Sequence, residues 1–107
     1  MRNEKFTKGV WSIADCREIP DADYDYSIVD ANGWNIAHVE NCSIEEEEAN
    51  AHLIKAAPKL YKLLKLACYE FEMMANWCEE NGMERDSQSY TNLVCGLRAA
   101  LAEARGE

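Results

Sequence analysis

Two histidines, five cysteines, a run of glutamates and a short series of lysines are the residues of this chain whose types and spacing could do chemistry. Metal binding comes first. Glu48 and His52 lie one helical turn apart, and His38 and Cys42 are separated by four positions. Structural zinc sites draw on close pairs such as CxxC, and Cys16, Cys42, Cys68, Cys78 and Cys95 form none. An odd cysteine count with no such framework predicts reduced, packed thiols, not disulfides or a metal centre. Nucleophilic catalysis also lacks its signatures, since the chain has no GxSxG, no HExxH and no Gly-rich phosphate loop. No nucleophile, base and orienting group occur together at a recognisable spacing, so neither an enzyme nor a cofactor is expected.

Charge is the stronger signal. The net charge of −9 is uneven along the 107 residues. Residues 1–14 hold Arg2, Lys5 and Lys8 against Glu4, giving +2. Residues 15–48 hold eleven acids against Arg17 alone, giving −10, and the rest hold seven bases and eight acids, giving −1. Such a surface disfavours nucleic acid and anionic membranes and attracts a basic protein partner. The residues available for that contact are Asp21, Asp23, Asp25, Glu40, Glu45 and Glu46, with Trp34 as an aromatic anchor. The plainer reading of Glu45–Glu48 is electrostatic support for a helix start in solvent. Lys55, Lys59 and Lys62, with Lys65 beside them, form a basic stripe that is either a solvated face or an anion site.

The elements that must position these groups follow from patterning. Residues 1–5 read as a loose terminus, 8–42 as a small antiparallel sheet and 43–107 as a helical part of one domain. Lys8 to Ala14 is a short run rich in β-formers, and 15–23 contains Pro20 and reads as a loop. Residues 24–30 and 34–40 flank Asn32-Gly33, the pair that favours a two-residue type I′ hairpin turn. That register pairs Val29 with Ile36 and Ile28 with Ala37. It places Tyr24, Tyr26, Ile28, Ala37 and Val39 on the core face, and Val29, Trp34, Ile36, Ser27 and His38 on the other. Ser43-x-x-Glu46 forms a capping box.

From Leu53 the apolar positions step by three and four straight through Pro58 to Cys78. Proline cannot donate to residue 54, so the pattern predicts a break with Ala57 as the corner and Pro58 opening a second helix. That helix has a second apolar set at Leu63, Leu66, Met73 and Trp77, more than one neighbour covers, which predicts a homodimer through that face. It ends at Asn81-Gly82, and a third helix starts at Asp86 or Ser87. The third helix carries a stripe of Tyr90, Leu93, Val94, Leu97, Ala100, Leu101 and Ala104, with Gly96 free to permit close approach. The fold expected is α+β: a β-hairpin or three-stranded meander, then short, long and medium helices, the last two antiparallel. The long helix would pack between sheet and last helix, or across the dimer. With no apolar run of about 20 residues and no apolar leader, the chain is expected to be soluble and cytoplasmic.

The string EANAHLIKAAPKLYKLLK resembles a motif, ANAxLIxAAPxLLxxL, of small uncharacterised phage and prophage proteins. Their Gly-x-Trp, "IA-x-V" and ending are matched by Gly9-Val10-Trp11, Ile36-Ala37-His38-Val39 and RAALAEARGE. Tyr61 departs from the pattern, where leucine is usual, and no catalytic set transfers. The resemblance implies a non-enzymatic phage accessory product in the host cytoplasm that binds and inhibits a host protein. Its acidic half could imitate nucleic acid in an anti-defence role. The alternative is a dimer that captures an anionic nucleotide through Lys55, Lys59 and Lys62.

Overall fold

The computed structural model describes residues 4–40 and 43–107. Arg2 and Cys42, and with Cys42 the His38–Cys42 spacing, lie outside the described residues. The fold is α+β. Three antiparallel strands, β1 (Ser12–Asp15), β2 (Tyr26–Val29) and β3 (Asn35–Val39), form a meander in that order. Three helices follow: α1 (Ile44–Lys55), α2 (Ala57–Glu80) and α3 (Glu84–Ala104). By packing, the chain divides into two compact units, one of Phe6–Lys59 and one of Leu60–Glu107 with Glu4 and Lys5.

In the first unit β2 is the central strand, with Ile13 opposite Ile28 on one side and Ala37 opposite Ile28 on the other. The hairpin between β2 and β3 differs from the two-residue turn expected. Its loop has three residues, Ala31 to Gly33, closed by Gly33 N–H donating to the Asp30 carbonyl and Asp30 N–H donating to the Trp34 carbonyl. Gly33 sits at φ 85°, the left-handed position such a loop requires. The Asp30 carboxylate drives the choice by accepting from both the Asn32 and Trp34 amides at 2.9 Å. The added loop residue shifts Val29 onto Asn35, and a bulge at Ile36 restores the expected pairing of Ile28 with Ala37.

That bulge has a consequence for packing. Ile36, expected on the outer face, packs against the core of Tyr26, Ile28, Val39 and Ala51 together with Trp11, Ile13, Ala37 and Ile54. The helix packed on this sheet is α1, which supplies Ala51 and Ile54. Tyr24, expected on the core face, instead lies before β2 and stacks on His38 at 3.8 Å between ring centroids. Ser27, on the outer face, is nevertheless buried, with its hydroxyl donating to Asn35 Oδ1 at 2.7 Å. β1 begins at Ser12, four residues later than the β-rich run suggests.

Ser43 caps α1 as expected: its backbone is extended and its hydroxyl accepts from Glu46 N–H at 3.2 Å. The helix stops at the C-cap Ala56, and α2 starts at Ala57 with Pro58 in its first turn, where a missing N–H costs nothing. The pattern is therefore broken at Pro58, with the corner one residue earlier than expected.

In the second unit α2 ends in a Schellman motif: Met83 N–H donates to the Cys78 carbonyl and Gly82, at φ 70°, donates to the Glu79 carbonyl. This turn places the start of α3 at Glu84, with Met83 as N-cap and no side-chain cap. Ser87, expected as a cap candidate, instead donates its hydroxyl to the Ala75 carbonyl of α2 at 3.1 Å. Phe71 stacks on Tyr90 at 5.8 Å, Arg98 pairs with Glu72 at 2.6 Å, and Arg105 donates to the Tyr61 hydroxyl at 3.1 Å. These contacts fix α2 and α3 antiparallel. The buried stripe of α3 centres on Val94 and Leu101. Leu93, Ala100 and Ala104, expected in it, are exposed. A Cβ at Gly96 would meet open space, so the close approach expected there is not used.

Candidate interaction surfaces

Acidic groups dominate the surface of the sheet unit. Its loop from Cys16 to Asp25 is closed by Cys16 N–H donating to the Asp25 carbonyl at 2.8 Å. Along this loop Asp21 and Asp23 are exposed and Asp25 is half-buried, with Asp21 in the left-handed region at φ 65°. Glu40, Glu45 and Glu46 are exposed, whereas Glu47, read from sequence within a solvated run, is buried. Arg17 is the one base between residues 15 and 48, and Asp15 holds it. The guanidinium donates through Nε and Nη2 to both carboxylate oxygens at 2.6–3.2 Å and lies 5.4 Å from the centre of the Tyr26 ring.

These bonds from Arg17 hold the Asp15 carboxyl down at about 2 and raise the guanidinium in turn. Burial pushes the Tyr26 phenol above its ordinary value, with Arg17 opposing it. Asp15 and Asp30 thus have local structural tasks, one fixing Arg17 and the other building the hairpin turn. Asp21, Asp23, Glu40 and Glu45 are exposed, and the stretch supplies no second base beside Arg17.

A shallow cleft of about 320 Å³ opens in the same unit between the end of β3 and α1, lined by His38, Val39, Glu40, Asn50, Leu53 and Ile54. Sequence patterning missed it, because Leu53 reads there as the first step of a buried stripe. In the structure Leu53 is 65 % exposed and forms an apolar wall next to Glu40. The Tyr24–His38 stack was also illegible, since it depends on the path of the chain before β2. Trp34, directly after the hairpin turn, is 74 % exposed and belongs to neither feature. Among the described residues no three His, Cys, Asp or Glu side chains gather as a metal site. Cys16, Cys68, Cys78 and Cys95 are free thiols, the first three buried.

The lysines are distributed differently. Lys55 is half-buried in the last turn of α1, and Lys59 and Lys62 are exposed on α2. Lys65 is ion-paired with Glu4 at 2.6 Å, which raises its pKa. On α2 the side turned away from α3 is apolar and open: Leu63, Leu66, Tyr69, Met73 and Trp77 are each 51–59 % exposed. Among the described residues no helix is long and apolar enough to cross a membrane.

Fold and surface together define a small acidic α+β protein with a sheet-and-helix unit and a helical hairpin. Comparison with known families gives its origin. The family model for Salmonella phage P22 protein Y8K6 matches residues 1–107, so the chain belongs to this phage family. No curated protein and no solved structure matches it significantly.

Proposed function

We propose that this phage protein binds a host protein through the acidic surface of its sheet unit and inhibits it by occupying a basic groove. The observation that carries the reading is the disposition of charge around Arg17. The only base of residues 15–48 is held by Asp15, and Asp21, Asp23, Glu40 and Glu45 are exposed carboxylates of the same segment. Spaced carboxylates of this kind offer a basic groove the same charge pattern as a phosphate backbone. Trp34, exposed at the hairpin-turn end of β3, supplies an aromatic anchor at the opposite end of that strand from Glu40. The acidic turn of α1 is partly accounted for by helix-start electrostatics. The proposal therefore leans on the loop residues and Glu40.

The test uses immobilised full-length protein and host lysate at low salt. A specific partner is expected to be retained at about 50 mM salt and released well below 0.5 M, as screening shortens the reach of surface charge. Asp23→Lys with Glu40→Lys is expected to abolish capture while circular dichroism stays unchanged. A short DNA duplex is expected to compete with the protein for the captured partner. Asp21 is best neutralised as Asp21→Asn, because asparagine tolerates its left-handed backbone. Capture that is indifferent to both salt and charge reversal would end the proposal. Stabilisation by nucleotides that is lost on Lys59→Glu would favour the anion-binding alternative instead.

A further inference from the structure

The apolar side of α2 can be assigned an occupant from the charges around it. Along this side Lys62, Leu66, Tyr69, Met73, Trp77 and Glu80 recur in steps of three and four, one continuous helical stripe, with Leu63 at its border. Leu63, Leu66, Tyr69, Met73 and Trp77 are open to solvent over about half or more of their surface. Charge runs against the helix dipole: α2 has no acid in its first turn and no base in its last. Lysines stand toward the N-terminal end and Glu79 and Glu80 at the C-terminal end. Within one copy both ends are electrostatically unfavourable. An antiparallel second copy of the same helix reverses both penalties, because it brings each basic end beside an acidic one.

We infer that α2 is the interface of an antiparallel homodimer with its two-fold axis beside Tyr69 and Glu70. In that register Leu66 packs on the partner's Met73, and Lys62 and Leu63 flank the partner's Trp77. The Lys62 ammonium lies over the partner's indole and within reach of the partner's Glu80, and symmetry makes every contact twice. The steps of three and four suit helix-on-helix packing at a shallow angle. Burying the five apolar side chains on both copies removes on the order of 1,000 Å² from water, the area at which specific interfaces begin. This inference is independent of the acidic surface and of any host partner.

The experiment is light scattering of the full-length chain across a concentration series, with circular dichroism to confirm the fold. A species of twice 12.2 kDa is expected for the natural sequence. Leu66→Glu, at a position 56 % exposed, is expected to give a folded monomer. Lys62→Glu and Glu80→Lys are each expected to raise the dimer dissociation constant about tenfold, and the double variant to restore it. Residues 62 and 80 are about 27 Å apart along one helix, so such rescue can only cross between copies. A monomer at about 100 µM, where a dissociation constant of about 10 µM would leave most of the chain dimeric, would overturn the inference. So would a dimer that survives Leu66→Glu, or charge variants that weaken association without mutual rescue.

Discussion

Asp15 and Arg17 are both well exposed, yet their two-residue spacing lets one carboxylate take three bonds from the Arg17 side chain and a fourth from the Arg17 backbone amide at 3.1 Å. The carboxyl is expected to titrate at about 2 by NMR, and in Arg17→Gln to return toward its ordinary 3.8. The sign follows from the lowered folded-state value: the contribution is complete above the unfolded carboxyl's pKa and is lost as pH falls through about 2. Solvent screening keeps it small in energy, so the chemical shift is the sensitive readout. Ile28 is the opposite case. It has no exposed surface and sits on the central strand between Ile13 and Ala37. Ile28→Ala is expected to cost about 3 kcal/mol in urea unfolding, since the rigid strands on either side cannot close the cavity. Tyr61, where the phage motif usually has leucine, is buried, and its hydroxyl accepts from Arg105 near the end of α3. The residue that departs from the motif therefore ties the two ends of the helical hairpin together.

At the scale of elements, what sequence revealed were the features with a local cause. Ser43 and Glu46 bracket a helix start whatever surrounds them, and the interruption at Pro58 follows from a missing donor. The hairpin was placed correctly because Asn32-Gly33 marks it, and Ile28 still meets Ala37. Its turn type was not legible, because Asn-Gly satisfies both two-residue and three-residue loops. The Asp30 carboxylate decides between them through bonds made only once the chain has folded back. The start of α3 was missed for a related reason: the Schellman turn fixes it from the preceding helix, leaving Ser87 free to bond across to Ala75. The cleft beside Glu40 needed the packing of α1 on the sheet, which periodicity cannot supply. Glycines at two positions give a paired test. Gly33→Ala forces a side chain onto a left-handed residue and is expected to cost about 1 kcal/mol. Gly96→Ala fills open space in a helix interior and is expected to stabilise by about 0.5–1 kcal/mol. Chemical denaturation of the two variants beside the natural chain reads both signs.

At the scale of the whole molecule, the two units differ in electrostatic load. Residues 6–59 carry four bases and eleven acids, a net −7, and residues 60–107 carry five bases and eight acids, a net −3. The helical unit also has Arg98 on Glu72 and Lys65 on Glu4, whereas the sheet unit's acid-rich stretch has its single base committed to Asp15. Like charge held on a compact surface opposes folding, and added salt relieves it. Raising ionic strength from about 0.01 M to about 0.15 M shortens the screening length from about 30 Å to about 8 Å, less than the width of such a unit. The natural chain is therefore expected to gain thermal stability over this range. Hydrogen exchange should place the larger gain in the amides of β2 and β3, with a smaller change in α2 and α3. Salt also weakens the exposed ion pairs, which acts in the opposite direction, but each surface pair contributes little. The balance is decided by seven uncompensated charges against one strong local pair in the sheet unit. If salt lowers stability there instead, the Asp15–Arg17 clamp outweighs the repulsion, and Arg17→Gln should then restore the expected sign.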